Sequence, residues 1–99
     1  MDFLPLFLRI RDRECVVIGG GEVAARKVAL LRRAGGHVRV VAPALGPTLA
    51  GLAARGEVTH VPRPFQPGDT AGAVLVIAGT DATAVNRRVA AAADATGIP

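Results

Sequence analysis

Apolar residues fall along this chain in short dense runs, each closed by glycine or proline. The run 14–18, Glu-Cys-Val-Val-Ile, is unbroken and β-branched, which predicts a strand buried on both faces, as in a parallel sheet. The period then changes. Ala24, Val28 and Leu31 recur at i, i+4 and i+7, with Val23 and Leu30 beside them, which predicts a helix over 22–34 with these residues inward. Gly35 and Gly36 supply a left-handed stop. A second strand is predicted over 37–42, ended by Pro43. A short helix over 47–54 and a third strand over 57–61 follow. A proline-bearing loop then leads to one helical turn near Asp69. A fourth apolar strand is predicted over 73–78, and a last helix runs to Thr96 with Val85, Val89 and Ala92 inward and Gly97 at its close. Before all of these, 3–10 reads as an edge strand, since Pro5 is tolerated there, and 11–13 as a turn.

Strands alternating with helices at this spacing predict an α/β domain with right-handed crossovers. The expected fold class is a Rossmann-like doubly wound parallel sheet. A fifth central strand would begin where the sequence stops, at Ile98-Pro99, so the expectation is a fragment of that sheet, 1–99 forming one incomplete nucleotide-binding domain.

The junction between the first strand and the first helix carries the chemistry. Gly19, Gly21 and Ala24 occupy the three fixed places of a G-x-G-x-x-A fingerprint. The first allows a sharp turn out of the strand. The second leaves room for a pyrophosphate against the main chain. The third lets the helix pack close. Free N–H groups at the helix start then face the phosphates. An acid that would bond the ribose is missing after the second strand, where Pro43 and Ala44 stand. No basic residue is there to meet a 2′-phosphate, which favours NAD over NADP. Thr80 and Asp81 follow the fourth strand, where they either cap the last helix or line the cofactor cleft. Glu22 suits the positive end of the first helix and is within reach of a cofactor.

Composition narrows the choices. Hydrophobic residues form 51% of 99, which excludes a disordered polar segment. No apolar run approaches the roughly 20 residues of a membrane helix, and the N-terminus lacks a secretory pattern, so no membrane partner and a cytoplasmic location are expected. Cys15 is the single cysteine; it reads as a buried small hydrophobe. His37 and His60 lack a second ligand at metal spacing, so no metal is expected. Asn86 reads as solvent-facing or bonded to the backbone. The net charge of +4, almost all arginine, reads as a solvated surface or as attraction for a polyanion. With three phenylalanines and no Tyr or Trp, stacking platforms for nucleic acid are few.

The order of these residues resembles the precorrin-2 dehydrogenases, which form the N-terminal part of siroheme synthases. The resemblance runs the length of the chain. It rests on Leu4-Pro5 and Phe7, Arg13, Val16-Val17, Gly19-Gly20-Gly21, Val23-Ala24, Arg26-Lys27, Leu31, Gly35, Val38, Val40 and Val41-Ala42-Pro43. Thr80-Asp81 with Val85-Asn86 and Val89 matches that family's T-D-D-x-x-V-N-x-x-V stretch, except that Ala82 replaces its second Asp. The resemblance implies NAD-dependent oxidation of precorrin-2 to sirohydrochlorin in siroheme biosynthesis, with iron insertion in several relatives, a tetrapyrrole substrate and a homodimer in the full-length form. It implies cofactor contacts at Gly19, Gly20, Gly21, Glu22, Val23, Pro43 and Ala44. The family's catalytic aspartate falls beyond Pro99, so no catalytic residue is assigned and the 99 residues are expected to be inactive alone. Two rivals stand beside this reading. One is a non-catalytic module that senses NAD or another adenine nucleotide. The other is an electropositive nucleic-acid binder, which leaves the glycine run unexplained.

Overall fold

The computed structural model describes residues 9–80 and 83–97. The elements are β1 (Glu14–Ile18), α1 (Glu22–Arg33), β2 (His37–Val41), α2 (Pro47–Ala54), β3 (Thr59–Val61), a 3₁₀ turn (Pro67–Thr70), β4 (Leu75–Ala78) and α3 (Thr83–Thr96). The strands form one parallel sheet in the order β3-β2-β1-β4. Val17 stands opposite Val40 on β2 and Ile77 on β4. β1 is therefore central, and its four apolar residues are all buried.

Because side chains alternate across a strand, β1 feeds two cores. Cys15 and Val17 join Val38, Val40, Val28 and Leu49 beneath α1 and α2. Val16 and Ile18 join Val41, Phe65 and Val89 beneath α3. Helices thus cover both faces of the sheet, as a doubly wound architecture requires.

α1 ends as its glycines predict. Gly35 has φ +87°, and the Gly35 and Gly36 N–H groups bond back to Arg32 and Leu31, closing a Schellman motif. Gly97 closes α3 in the same left-handed region, at φ +72°. The turn over 11–13 forms with Asp12 at φ 59° and its N–H on the Gly35 carbonyl.

Three expectations change. The inward stripe of α1 is Ala24, Ala25, Val28 and Leu31, whereas Val23 is 44% and Leu30 55% exposed. Helical geometry places Val23 and Leu30, seven apart, together on one flank, and the sheet meets the opposite flank at Ala25. β3 and β4 are shorter than predicted, because Glu57 closes α2 through its N–H to Leu52, and Ala73 closes the 3₁₀ turn through its N–H to Thr70. β4 is only half-buried, because it is an edge of the sheet among the described residues. The edge strand expected over 3–10 lies largely outside the described residues; Arg9 and Ile10 belong to no strand.

Candidate functional site

The carboxyl ends of β1, β2 and β4 converge on a single cleft of about 580 Å³. It lies where open α/β sheets bind ligands, beside the point at which strand order reverses from β1 to β4. Its floor is the glycine run.

The three glycines do different work. Gly19 is buried at φ +131°, and a Cβ there would lie 2.5 Å from the Gly79 carbonyl oxygen. Both its backbone and its surroundings demand glycine. A Cβ on Gly20 would lie 2.1 Å from the Ala44 carbonyl oxygen, and the Gly20 carbonyl accepts the Gly46 N–H at 2.8 Å. Gly21 caps α1 with φ −92° and ψ −165°, a conformation open to any residue. A Cβ there meets no protein atom within 4 Å. Gly21 itself lines the cleft. At the third fingerprint place Ala24 is fully buried, and a Cβ on Gly79 would already reach 3.2 Å from its Cα. The small pair lets the start of α1 lie against the end of β4.

Neither α1 nor α2 has a side-chain cap at its N-terminus. The first N–H groups of each helix thus have no side-chain acceptor from the capping position. Both starts border the cleft, α1 through Gly21 and Glu22 and α2 through Gly46. Thr48 Oγ1 donates to Glu22 Oε1 at 3.0 Å and ties the two helix starts together. This donor-rich, glycine-floored corner has the chemistry and the room to hold a pyrophosphate.

Of the residues singled out from the sequence, Gly19, Gly20, Gly21, Glu22, Val23, Pro43, Ala44 and Thr80 all line this one cleft. Asp81 lies outside the described residues. Pro43 and Ala44 are exposed at the end of β2 with no carboxylate beside them. Among the described lining residues Glu22 is the only charged one. Thr80 Oγ1 donates to Asn86 Oδ1 at 2.6 Å, and Asn86 Nδ2 donates to the Thr80 carbonyl at 3.0 Å. Asn86 is thus bonded to the backbone, one of its two expected roles, and braces the cleft wall after β4.

Sequence reasoning missed Pro64, Phe65, Leu45, Gly46 and Val85, which also line the cleft. Phe65 carried a usable signal: a large apolar residue between prolines in an otherwise polar loop. It is buried, with 6% exposure.

The other flagged groups stay outside. Cys15 is buried, and burial first, with Glu14 second, pushes its thiol above the ordinary value. His60 Nε2 bonds the Ala42 carbonyl at 2.8 Å, and His37 lies 3.6 Å from Asp12 at the opposite end of the sheet. No group of His, Cys, Asp or Glu able to hold a metal is present among the described residues. No helix among them is long and apolar enough to cross a membrane.

Residues 6–99 match a protein family described as "Putative NAD(P)-binding". The chain is 52% identical over 99 residues to the siroheme synthase of Methylobacillus flagellatus, covering all of this chain and 21% of that protein. It is 55% identical over 89 residues to the siroheme synthase of Thioalkalivibrio sulfidiphilus, covering 90% of this chain and 18% of the relative. The chain therefore spans about a fifth of the length of these relatives. Among solved structures it is similar to SirC, a precorrin-2 dehydrogenase, with a TM-score of 0.80 and 24% identity over 89% of this chain and 44% of that one. That likeness shows the Rossmann-like fold.

Proposed function

The chain belongs to this NAD(P)-binding family, and on that premise we propose that it is the cofactor-binding part of an enzyme oxidising precorrin-2 to sirohydrochlorin in siroheme biosynthesis. In this reading the cofactor is NAD: the family is NAD(P)-binding, and no basic residue stands at Pro43 and Ala44 to meet a 2′-phosphate. The observation that carries the site is Gly21, a cleft-lining residue at the start of α1 whose side-chain space is empty of protein.

The N–H groups at the starts of α1 and α2 hold the pyrophosphate. Glu22 and Val23 border the adjacent ribose, and Pro43 and Ala44 border the adenosine. Thr80 lies towards the reacting side. When bound, the nicotinamide ring accepts a hydride from the substrate. The chain's share is to fix that ring against the tetrapyrrole. Exposed arginines such as Arg13, Arg26 and Arg88 suit a substrate bearing many carboxylates.

Glu22 is the only titratable group among the described lining residues, and it is engaged by Thr48. Following the family resemblance, which puts the catalytic aspartate beyond Pro99, proton transfer, dimerisation and any iron insertion are assigned to the longer protein and cofactor binding to these 99 residues. The engagement of Glu22 by Thr48 favours, as a second reading, a module that binds NAD and performs no chemistry.

Two measurements separate these readings. Calorimetric titration of NAD into the 99-residue chain is expected to show saturable binding; no binding would end both. NADH formation from NAD and precorrin-2 is expected from a protein of the relatives' length and not from the 99 residues. Absence of turnover in the long protein would leave only the sensing module.

A further inference from the structure

The connection between β3 and β4 reaches the cleft through Pro64 and Phe65 alone. These two residues are bracketed by an ion pair, its carboxylate buried and its guanidinium partly exposed, that does not itself line the cleft. Asp69, 7% exposed, accepts from Arg63 Nη1 at 2.8 Å and also from Arg63 Nη2. The same carboxylate accepts the Gln66 backbone N–H at 2.7 Å. The loop from Arg63 to Asp69 is thereby closed on itself, with Pro64 and Phe65 inside the closure. A second guanidinium anchors it to the sheet: Arg39 Nη2 on β2 donates to the carbonyls of Asp69 at 3.1 Å and Ala71 at 3.3 Å.

Burying the Asp69 carboxylate costs desolvation that attraction to the partly exposed Arg63 guanidinium does little more than offset, so the pair is weak evidence for stability. Its two-pronged geometry is directional, however, and specifies one arrangement of the loop that carries it. Here that arrangement seats Phe65 on Ile18, Val41 and Val89, facing the cleft beside Val85.

We propose that the Arg63–Asp69 pair is a positioning device for the cleft, holding Pro64 and Phe65 as the apolar wall that receives the adenine of the dinucleotide. The proposal rests on the NAD reading of the site. Adenine is neutral and flat and gains from an apolar, aromatic wall. The oxidised nicotinamide ring is cationic and must face the substrate, so it belongs elsewhere.

The test uses AMP and nicotinamide mononucleotide as probes of the two halves, with ligand-observed NMR for weak binding and NAD titration beside it. Asp69→Asn is expected to weaken AMP and NAD binding at least about fivefold, the size of one lost base-stacking contact, and to leave nicotinamide mononucleotide unchanged. Arg63→Lys, which keeps the charge and loses the second prong, is expected to fall between. Phe65→Leu keeps the ion pair and is expected to show the same selective loss, which covers an Asp69→Asn chain that fails to fold. Lower unfolding resistance with unchanged AMP affinity would make the pair merely structural and overturn the proposal. Equal loss for both mononucleotides would overturn it as well. If the unsubstituted chain binds neither NAD nor AMP, the NAD reading falls, and this proposal with it; NAD binding that all three variants leave unaltered sinks the positioning role alone.

Discussion

The Ala44 carbonyl oxygen occupies the place where any residue other than glycine would put its Cβ at position 20, 2.1 Å from that ideal position. The G-x-G-x-x-A pattern treats position 20 as free, yet it is the most crowded of the three glycines. The connection after β2 folds down onto it, and the Gly46 N–H reaches the Gly20 carbonyl at 2.8 Å. The floor of the cleft and its β2 wall are therefore one unit.

Gly20→Ala is expected to force the two backbones apart. Overpacking of this kind costs about 1–3 kcal/mol, a large part of the stability of a small domain. Urea unfolding followed by far-UV circular dichroism measures it. An unchanged midpoint would mean that the two loops separate freely.

Gly21→Asp separates fold from ligand. The backbone there is extended and the side-chain space is open, so folding stability is expected to stay within about 0.5 kcal/mol. NAD binding is expected to vanish, because a carboxylate would stand in the phosphate seat. Retained affinity in a calorimetric titration would remove the phosphates from this corner.

Local chemistry made most of the architecture readable. The boundaries of β1 and α2 and the left-handed stops at Gly35 and Gly97 follow from runs and turn residues that act over a few positions. The cleft residues next to the fingerprint were readable for the same reason. What escaped was long-range. Gly20 is constrained by Ala44, and Phe65 reaches the cleft from a loop that the sequence joins only to β3 and β4. Nor does periodicity say which flank of α1 the sheet will meet.

Two adjacent leucines report which flank of α1 the sheet meets. Leu31 is buried among Val28, Cys15 and Val38, while Leu30 is 55% exposed. Leu31→Ala is expected to cost about 2–5 kcal/mol through lost burial and the cavity left behind. Leu30→Ala is expected to cost under about 0.5 kcal/mol. Equal losses in urea unfolding would mean that the flank bearing Val23 and Leu30 is covered in solution.

Acid should unfold the domain partly through Asp69. The Arg63 guanidinium bonded to it lowers its carboxyl below the ordinary range; burial opposes this, and the Gln66 N–H and Arg39 assist it. The folded state thus favours the ionised carboxylate more than the unfolded chain does, whose Asp value is about 3.9. The unfolded chain binds the proton first, so this contribution is complete above that value and disappears as pH falls through the lower folded one. Glu57 is lowered in the same sense, by Arg55 first and then Arg32, but its side chain is 37% exposed against 6% for Asp69. Salt weakens both, and the Glu57 pairs more, since they are exposed on both sides whereas the Asp69 carboxylate is buried beside a partly exposed guanidinium. Urea midpoints between pH 6 and 3 in high salt are expected to keep a steep acid limb in the unsubstituted chain and to lose much of it in Asp69→Asn. An acid limb of the same slope in both would show that protonation of Asp69 does not drive the transition.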